Sequence, residues 1–363
     1  MRVALDEQIF SLQPYGGISR LYFEVAREFL TDTSHGVEID RMNCPVVNEY
    51  VLSDTHIAEI LGLRRAKSPY RALSRYFSRP PRRSSVEVFN STFYLPRLVR
   101  DYPKAKHVVT VFDLIPELMP ETRRRLDFLT RKRAYLLSAD HIICISESTR
   151  RDLLRIYPEV KAPITIAYPG VSDIFRVPGP RRSDLPVPYV LHVGNRSGYK
   201  DGMAVARAFS TFAKSFPDLT LLYVGGGALR RSEVQLLRDL GIASRVRQVS
   251  LSDEEMPTVY QQALITVYPS RYEGFGLPVV EAMAAGSPVL LSDTSSLPEV
   301  GGTAARYFPP GDVDSLAGLM SDVLGDETQR EQMTAAGHER SLMFTWGNYA
   351  SSTLQAYKLA ASG

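Results

Sequence analysis

The stretch YPSRYEGFGLPVVEAMAAGSPVL, residues 268 to 290, decides the fold of this chain. An apolar run leads into it and predicts a buried strand that ends at Pro269. A loop with two glycines follows. Residues 277 to 286 then predict a helix, because Pro278 suits a first turn and Gly286 suits a helix end. The apolar residues after Gly286 predict another strand, so the order is strand, glycine loop, helix, strand.

Two carboxylates stand in this stretch, Glu273 in the glycine loop and Glu281 in the predicted first turn of the helix. The unpaired amides and the dipole of a helix start attract a phosphate, and glycines let the backbone approach it closely. Carboxylates beside a bound phosphate can accept hydrogen bonds from the hydroxyls of a sugar nucleotide. The spacing alone equally allows a plainer interpretation, in which Glu273 is a solvated loop residue and Glu281 stabilises the helix dipole.

The sequence EGFGLPVVEA, residues 273 to 282, resembles the E-x7-E segment of the retaining glycosyltransferases of family 4, which have the GT-B fold. Both acids and the Gly-Phe-Gly-Leu-Pro between them match. The resemblance implies that Glu273 lies against the donor sugar and that Glu281 holds the nucleotide ribose. It also implies donor contacts with Gly274, Phe275, Gly276 and Leu277.

Length and composition place this chain among soluble globular proteins. Its 363 residues suit two domains of ordinary size, and its formal net charge is only +3. No apolar stretch is long enough to cross a membrane, and acids occupy the N-terminus where a signal peptide needs an apolar run. The two cysteines, Cys44 and Cys144, favour a reducing compartment and leave one disulfide open. We therefore expect a cytoplasmic protein.

A basic segment without acids lies between Glu59 and Glu87. Within it Arg71, Arg75 and Arg79 share one face if the segment is helical, and aromatic residues are interleaved with them. Such a face suits an anionic membrane surface, which would make the protein peripheral at the inner face of the cytoplasmic membrane. A solvated helical face is the plainer alternative, and we expect no nucleic acid partner.

Two elements of the N-terminal half resemble site elements of the same family. Gly16 and Gly17, in the phrase YGGISR before a predicted helix, match a glycine pair that faces the donor phosphate and the acceptor. Asp113 follows a strongly predicted strand and is a candidate site residue. Relatives often have a histidine just before this aspartate, whereas this chain has Phe112. A role for Asp113 as a helix or turn cap is the alternative.

The loop GNRSGYK, residues 194 to 200, is predicted to follow the first strand of the C-terminal half. The family has a glycine and a basic pair here that neutralise the leaving diphosphate. Gly194 and Lys200 match that pattern. Tyr199 stands where relatives often have arginine, so we assign the second positive charge to Arg196. The alternative for both cations is simple solvation at the surface.

Three further motifs carry weaker signals. The resemblance implies that the loop of Val249, Ser250 and Leu251 touches the nucleotide base. The glycines at 225 to 227 resemble a dinucleotide loop, but an arginine replaces the third glycine of that motif. An Asp-x-Asp pattern begins at Asp312, and we interpret it as the start of a helix rather than as a metal site.

Strand and helix patterns alternate along the whole chain, which indicates an α/β protein with doubly wound parallel sheets. The resemblance implies two Rossmann-like domains facing a cleft. We place an acceptor-binding domain at residues 1–175 and a nucleotide-sugar-binding domain at residues 186–345. Residues 171 to 188 are rich in Pro, Gly and Arg and indicate a linker. Residues 346–363 predict a helix that packs back on the first domain.

These observations favour a retaining glycosyltransferase that moves a hexose from a nucleotide diphosphate donor to a hydroxyl of a glycan or lipid-linked acceptor. The resemblance to bacterial mannosyl- and rhamnosyltransferases makes GDP-mannose the expected donor, in cell-surface polysaccharide or lipopolysaccharide synthesis. We expect no cofactor and no metal, because Lys200, Arg196 and the helix start can stabilise the diphosphate charge. A sugar-nucleotide epimerase on the same fold and a non-catalytic sugar-nucleotide-binding protein are the alternatives.

Overall fold

The computed structural model describes residues 1–66, 85–94, 102–122, 126–179 and 182–363. The chain divides into two compact units. The first contains Met1–Gly170 together with Trp346–Gly363, and the second contains Val171–Thr345. The first unit is therefore assembled from two separate parts of the chain, whereas the second is continuous.

A parallel sheet of six strands forms the centre of the first unit. The strands of this unit are β1 (Arg2–Leu5), β2 (Glu38–Ile39), β3 (Pro45–Val46), β4 (Arg64–Arg65), β5 (Val88–Ser91), β6 (Lys106–Val111), β7 (His141–Cys144) and β8 (Ile164–Ile166). The sheet order is β2-β1-β5-β6-β7-β8, and β3 pairs only with β4. Because β1 lies between β2 and β5, the strand order reverses between β1 and β5.

The second unit contains another parallel sheet of six strands. They are β9 (Tyr189–Val193), β10 (Thr220–Val224), β11 (Val246–Val249), β12 (Ile265–Tyr268), β13 (Val289–Ser292) and β14 (Arg306–Phe308), in the order β11-β10-β9-β12-β13-β14. The central strands are apolar and buried, as expected where helices cover both faces of a sheet. Here the strand order reverses between β9 and β12, and a ligand site is expected at such a point.

Helices connect the strands of both units. In the first unit they are α1 (Gln8–Leu12), α2 (Gly17–Thr31), α3 (Glu49–Ser53), α4 (Thr55–Leu61), α5 (Ile115–Leu118), α6 (Leu126–Ser138) and α7 (Glu147–Ile156). In the second they are α8 (Met203–Phe212), α9 (Arg231–Asp239), α10 (Met256–Gln262), α11 (Leu277–Ala284), α12 (Leu297–Gly301), α13 (Val313–Gly325) and α14 (Glu327–Ser341). Within the described ranges, none of the helices combines the length and the apolar character needed to cross a bilayer.

The last helix, α15 (Trp346–Ser362), completes the core of the first unit. It packs against α2 and against β6, β7 and β8. Tyr357 is fully buried, and its hydroxyl donates a hydrogen bond to Asn90 Oδ1 at 2.9 Å. A buried tyrosine hydroxyl needs such a partner. The helix thus contributes both apolar surface and a specific polar contact to this unit.

The structure confirms the secondary structure predicted around residues 268 to 290. The strand β12 ends at Tyr268, the helix α11 covers Leu277–Ala284, and β13 follows. Gly286 adopts a φ of +86° two residues after the helix, a conformation that favours glycine. Asp312 caps α13, since its Oδ1 accepts a hydrogen bond from the Ser315 amide at 3.0 Å. That contact confirms the interpretation of Asp312 as a helix start.

Residues around the predicted linker are bound to the second unit. The Arg176 guanidinium donates a hydrogen bond to Ser341 Oγ at 2.7 Å, at the end of α14. The Gly179 amide donates to Gln261 Oε1 at 2.9 Å, on α10. These contacts explain why the second unit begins at Val171 and not after the proline- and glycine-rich stretch.

The two cysteines are buried free thiols. Cys44 precedes β3 and Cys144 ends β7, and neither forms a disulfide. Burial raises the pKa of both thiols, which keeps them protonated near neutral pH. They therefore behave as small apolar core residues.

Candidate active site

Two loops meet where the strand order of the second unit reverses. One follows β9 and carries Lys200, and the other follows β12 and carries Glu273. The Arg271 amide of the second loop donates a hydrogen bond to the Tyr199 carbonyl of the first at 2.7 Å. The Arg271 guanidinium also contacts Asp201 Oδ2 at 3.0 Å. The loops are thus joined by main-chain and side-chain contacts.

An ion pair between Lys200 and Glu273 lies at the centre of this junction. Lys200 Nζ is 2.6 Å from Glu273 Oε1 and 2.8 Å from Oε2. The side chains are only 21% and 7% exposed, so bulk water screens the pair little. Burial alone would lower the pKa of Lys200, but the Glu273 carboxylate outweighs it and holds that pKa above its ordinary value. Lys200 is therefore a fixed positive charge at neutral pH.

Aromatic rings surround the ammonium group of Lys200. Its Nζ lies 5.3 Å from the centroid of the Tyr199 ring and 5.4 Å from that of Tyr268, within the range of cation–π attraction. The Tyr268 hydroxyl lies 3.3 Å from the same Nζ. Burial raises the pKa of Tyr268, so its phenol stays protonated. The lysine is thus held by three side chains rather than left free at the surface.

Two serines before α12 fix the loop that carries Glu273. Ser295 Oγ accepts a hydrogen bond from the Glu273 amide at 2.8 Å. Ser296 Oγ, which is fully buried, contacts the carbonyls of Glu273 and Phe275 at 3.0 Å each. The Phe275 ring packs edge-on against Phe344 at 5.5 Å. Because its main chain and its aromatic side chain are both anchored, the loop presents the Glu273 carboxylate in one orientation.

The helix α11 starts directly after this loop. Gly276 precedes it with a φ of +102°, which only glycine adopts without strain. Gly274 and Phe275 come just before, and Leu277 is the first helical residue. The prediction that Glu281 lies in the first turn is wrong, because the first turn of α11, counted from Leu277, contains no acid. Glu281 is in the second turn, where it cannot act as a first-turn acid.

Glu281 is nevertheless a positioned carboxylate. It is 8% exposed, and Tyr260 on α10 donates a hydrogen bond to its Oε2 at 3.3 Å. Glu273 lies in the loop and Glu281 within the helix of one loop-helix element, as the sequence pattern indicates. A carboxylate held this way can accept hydrogen bonds from ligand hydroxyls.

Arg196 lies two residues after Gly194, whose φ is +112°. Its side chain is only 1% exposed and faces the glycine turn after β10, defined here as residues 225 to 228. The guanidinium binds carbonyl oxygens of this turn and pairs with Glu233 at 3.2 Å. Arg196 is thus engaged with groups of the protein, and its predicted contact with a diphosphate stays a prediction.

The segment predicted to touch a nucleotide base lies at the end of β11. Val249 is the last residue of that strand, and its carbonyl accepts a hydrogen bond from the Gly225 amide at 3.0 Å. Ser250 and Leu251 follow before the helical turn that leads to α10. The end of β11 is thereby joined to the glycine turn at the carboxyl edge of the same sheet. Base contacts by these residues stay a prediction.

In the first unit, the predicted glycine pair lies at the start of α2. Gly16 is the residue before the helix, and Gly17 is its first residue. The Arg20 amide donates to the Gly16 carbonyl at 2.9 Å, and the Ser19 hydroxyl donates to the same oxygen at 3.0 Å. A Cβ at Gly16 would meet only the amide end of the flexible Gln13 side chain, which can move aside.

Asp113 follows β6 in the first unit. Its Oδ1 accepts a hydrogen bond from the Ile115 amide at 3.0 Å, and its carbonyl accepts one from Lys132 at 2.7 Å. The capping alternative therefore accounts for the carboxylate position. Phe112 is buried, and its ring packs edge-on against that of Tyr22 with the centroids 5.9 Å apart, so it is a residue of the hydrophobic core. Lys132, which stands between two arginines in the sequence, is only 2% exposed and pairs with Glu117 at 2.9 Å.

The strand-order reversal of the first unit carries polar residues that the sequence pattern missed. Asp6 follows β1 and Thr92 follows β5, and the Thr92 hydroxyl donates a hydrogen bond to Asp6 Oδ1. Gln8 donates to Asp6 through its amide at 3.0 Å and through Nε2 at 2.6 Å. Burial and the neighbouring Glu7 raise the pKa of Asp6 to about 7.

Other residues at the second-unit site were also missed, namely Tyr260, Tyr268, Ser295 and Ser296. Tyr268 begins the stretch 268 to 290, but a tyrosine at the end of a buried strand gives no signal of its own. Tyr260, Ser295 and Ser296 lie outside that stretch, so its motif does not contain them. The predicted membrane-facing residues Arg71, Arg75 and Arg79 lie outside the described residues.

Across the part of the chain that is described, no three His, Cys, Asp or Glu side chains gather as a metal site. Independence from metal stays a prediction.

Comparisons with known proteins agree with this geometry. Residues 178–340 match the family described as Glycosyl transferases group 1. The chain is 31% identical over 281 residues to O-antigen chain mannosyltransferase B of Escherichia coli, and the match covers 74% of this chain and 72% of that protein.

Solved structures extend the likeness to almost the whole chain. Sucrose-phosphate synthase from Thermosynechococcus elongatus aligns with a TM-score of 0.75 at 21% identity, covering 99% of this chain and 98% of that one. Anabaena HepE, solved with UDP and glucose, aligns with a TM-score of 0.73 at 14% identity, covering 98% of each chain. These likenesses confirm the predicted GT-B fold.

Proposed function

We propose that this chain, which belongs to the group 1 glycosyl transferases, transfers a mannosyl group from GDP-mannose to a hydroxyl of a glycan or lipid-linked acceptor. The similarity to the O-antigen chain mannosyltransferase of Escherichia coli supports the choice of mannose and of cell-surface polysaccharide synthesis. The observation that carries the catalytic part of the proposal is the Lys200–Glu273 pair, because it places one cation and one carboxylate at the strand-order reversal of the second unit.

Each member of that pair has a separate task in the proposed reaction. The bond from the anomeric carbon to the donor phosphate breaks, and negative charge develops on the departing diphosphate. Lys200 stabilises that charge, together with the amide of Leu277 at the start of α11. Glu273 accepts hydrogen bonds from the sugar hydroxyls and orients the cationic anomeric carbon. Both groups are already held in place before the donor binds, so little reorganisation is needed.

Retention of configuration follows from attack on the same face of the sugar. In the proposed step the acceptor oxygen bonds to the anomeric carbon from the side that the phosphate leaves. The acceptor proton passes to an oxygen of the leaving diphosphate, so no protein base is required. Glu273 is accordingly an orienting carboxylate and not a covalent nucleophile. The positive charge of Lys200 takes the place that a metal ion has in other transferases.

Donor binding is the first experiment. The melting temperature is measured with GDP-mannose and with UDP, dTDP and ADP sugars, since a ligand of the native state raises it by mass action. We expect a shift with GDP-mannose that is lost in Glu281→Ala, because the ribose then lacks its carboxylate partner. Tyr189→Phe is a matched control, since its hydroxyl binds the Val259 carbonyl at 2.6 Å and not Glu281. A shift with another sugar nucleotide alone would overturn the choice of donor.

Product analysis separates transfer from the alternatives. With GDP-mannose and a mannose-terminated acceptor, we expect GDP release only when the acceptor is present and an α-linked product that shows retention. An epimerase would change the sugar without an acceptor, and a binding protein would release no GDP. Added EDTA should leave the rate unchanged if no metal takes part.

Membrane association is a separate part of the proposal. Its support is the basic segment between Glu59 and Glu87 in the sequence. Co-sedimentation with vesicles that contain anionic lipid, compared with neutral vesicles, tests it. Binding to the anionic vesicles that disappears when Arg71, Arg75 and Arg79 are replaced together would support it. Equal recovery with both vesicle types would contradict it.

A further inference from the structure

Arg196 makes an unusual set of contacts for a residue next to a proposed diphosphate site. Its Nη1 donates to the Gly225 carbonyl at 2.9 Å, and its Nη2 donates to the Gly227 carbonyl at 2.9 Å. Weaker contacts reach the carbonyls of Gly226 at 3.4 Å and Ala228 at 3.2 Å. All four acceptors belong to the glycine turn. One guanidinium therefore gathers the carbonyl oxygens of four consecutive residues.

A carboxylate completes this arrangement. Glu233 Oε2 lies 3.2 Å from Arg196 Nη2 and accepts a hydrogen bond from the Arg230 amide at 2.8 Å, just before α9. Burial opposes the charge of Glu233, but the Arg230 amide and the Arg196 guanidinium hold its pKa below its ordinary value. The pair thus stays ionised, and the Arg196 side chain is only 1% exposed. Both terminal nitrogens of Arg196 are used within the protein.

The conformation of the glycine turn fits this role. Gly225, Gly226 and Gly227 have φ values of +78°, +69° and +72°, a run that residues with side chains avoid. A Cβ at Gly226 would come within 2.8 Å of the Gly194 carbonyl oxygen and 2.9 Å of Arg196 Nη1. The turn therefore packs closely on the loop that follows β9. The same loop continues from Arg196 to Lys200.

We infer that Arg196 is a positioning residue of the donor site, which holds the glycine turn against the loop that carries Lys200, instead of binding the diphosphate itself. The contacts of Arg196 with main-chain carbonyls, and its burial, carry this inference. Lys200 is then the cation that this loop contributes to the departing diphosphate. The inference rests on the proposed function only in the test that measures nucleotide binding.

The first test needs no ligand. In the wild type the Gly225 amide is bonded to the Val249 carbonyl at 3.0 Å, so its hydrogen exchange reports on the glycine turn. Arg196→Lys keeps the charge, but one ammonium cannot replace a fork that reaches four carbonyls and a carboxylate. We expect about tenfold faster exchange in the peptide covering residues 225 to 230. Unchanged exchange would overturn the inference.

A matched control exists in the same unit. Arg245 is half-buried and also binds several carbonyls, those of Ala213, Phe216 and Leu219, at the amino end of β10. Arg245→Lys should lower the melting temperature without faster exchange in residues 225 to 230. If both variants speed exchange there equally, the effect is general destabilisation and the positioning role is wrong.

The second test uses GDP as the probe. If Arg196 only positions, both Arg196→Lys and Glu233→Gln should weaken GDP binding, by about tenfold, because both loosen the same turn. If Arg196 binds the diphosphate, Arg196→Lys retains most affinity, and Glu233→Gln leaves affinity unchanged or improves it by releasing the guanidinium. That outcome would overturn the inference. A wild type that binds neither GDP nor any other nucleoside diphosphate refutes the proposed function, while the exchange measurement still decides the role of Arg196.

Discussion

At the strand-order reversal of the second unit, Lys200 and Glu273 form an ion pair whose lysine remains 21% exposed. At the corresponding point of the first unit, Asp6 contacts Thr92 and Gln8, and all three are at most 4% exposed. The pair in the second unit can exchange its internal contacts for those of a charged ligand. The carboxyl group in the first unit is enclosed, and its burial and the neighbouring Glu7 favour its protonated form against the opposing effect of the neutral donors Thr92 and Gln8.

The comparison shows how one topology can support two kinds of polar centre. Loops after adjacent strands meet wherever the order of a parallel sheet reverses, so polar side chains collect there in both units. An opposite charge decides what the centre can do. Glu273 is paired with the Lys200 ammonium, whereas Asp6 has no such partner among the described residues and burial raises its pKa to about 7. Only the second-unit centre presents a stable cation and anion together.

Removal of the cation should produce the largest effect. Lys200→Met leaves Glu273 without its partner and leaves the departing diphosphate without a positive charge. We expect kcat to fall about 10²- to 10³-fold. Arg271→Met is the control, because Arg271 pairs with Asp201 nearby but is 57% exposed, so its loss should barely change kcat. Similar losses in both variants would refute a specific role for Lys200.

Asp6→Asn should alter stability in a pH-dependent way. The folded state binds the Asp6 proton more tightly than the unfolded state does, since its pKa rises from 3.8 to about 7. Raising the pH through 7 therefore destabilises the wild type. Between pH 5.5 and pH 8 we expect it to lose about 2 kcal/mol of unfolding free energy that the asparagine variant keeps. Urea denaturation at both pH values measures this.

The Asp6→Asn variant must also accommodate the hydrogen bond that Asp6 accepts from Gln8. Asparagine needs an acceptor where Asp6 Oδ2 now receives the Gln8 Nε2 hydrogen bond, and Gln8 Oε1 is buried without a partner. Rotation of the Gln8 amide supplies that acceptor. A pH-independent difference between the two proteins would show that Asp6 does not titrate in this range.

A smaller effect is expected from Tyr260→Phe. Its hydroxyl donates to Glu281 Oε2 at 3.3 Å, so the variant loosens that carboxylate without removing it. We expect KM for the donor to rise about fivefold, in line with the loss of one hydrogen bond worth about 1 kcal/mol, with little change in kcat. A decrease in kcat with unchanged KM would mean that Glu281 acts in the transition state instead.

The parts of the site that sequence reasoning found are those with a local pattern. Glu273 and Glu281 lie in one continuous motif, and Lys200 follows a glycine loop at the family spacing. The contact between Lys200 and Glu273 spans 73 residues, yet it follows from the order of a doubly wound sheet. The parallel α/β architecture was predictable for the same reason, because alternating strand and helix patterns determine it.

Other features leave no such signal. Four of the five partners of Arg196 are main-chain carbonyls, which every residue possesses, so the sequence carries little signal for its contacts with the glycine turn. Lys132 stands between Arg131 and Arg133, and the sequence does not show that Glu117 is folded against it. Burial of a charge depends on a distant partner. Such contacts become visible only when the packed structure is known.

The helix α15 also determines which of the two units can finish folding first. The first unit needs Trp346–Gly363, whereas the second unit is one continuous segment. During synthesis most of the first unit leaves the ribosome early, but Asn90 must wait for Tyr357, which follows the whole of the second unit in the chain. The second unit can therefore reach its final state before the first does, which reverses the usual N-terminal-first sequence of domain folding.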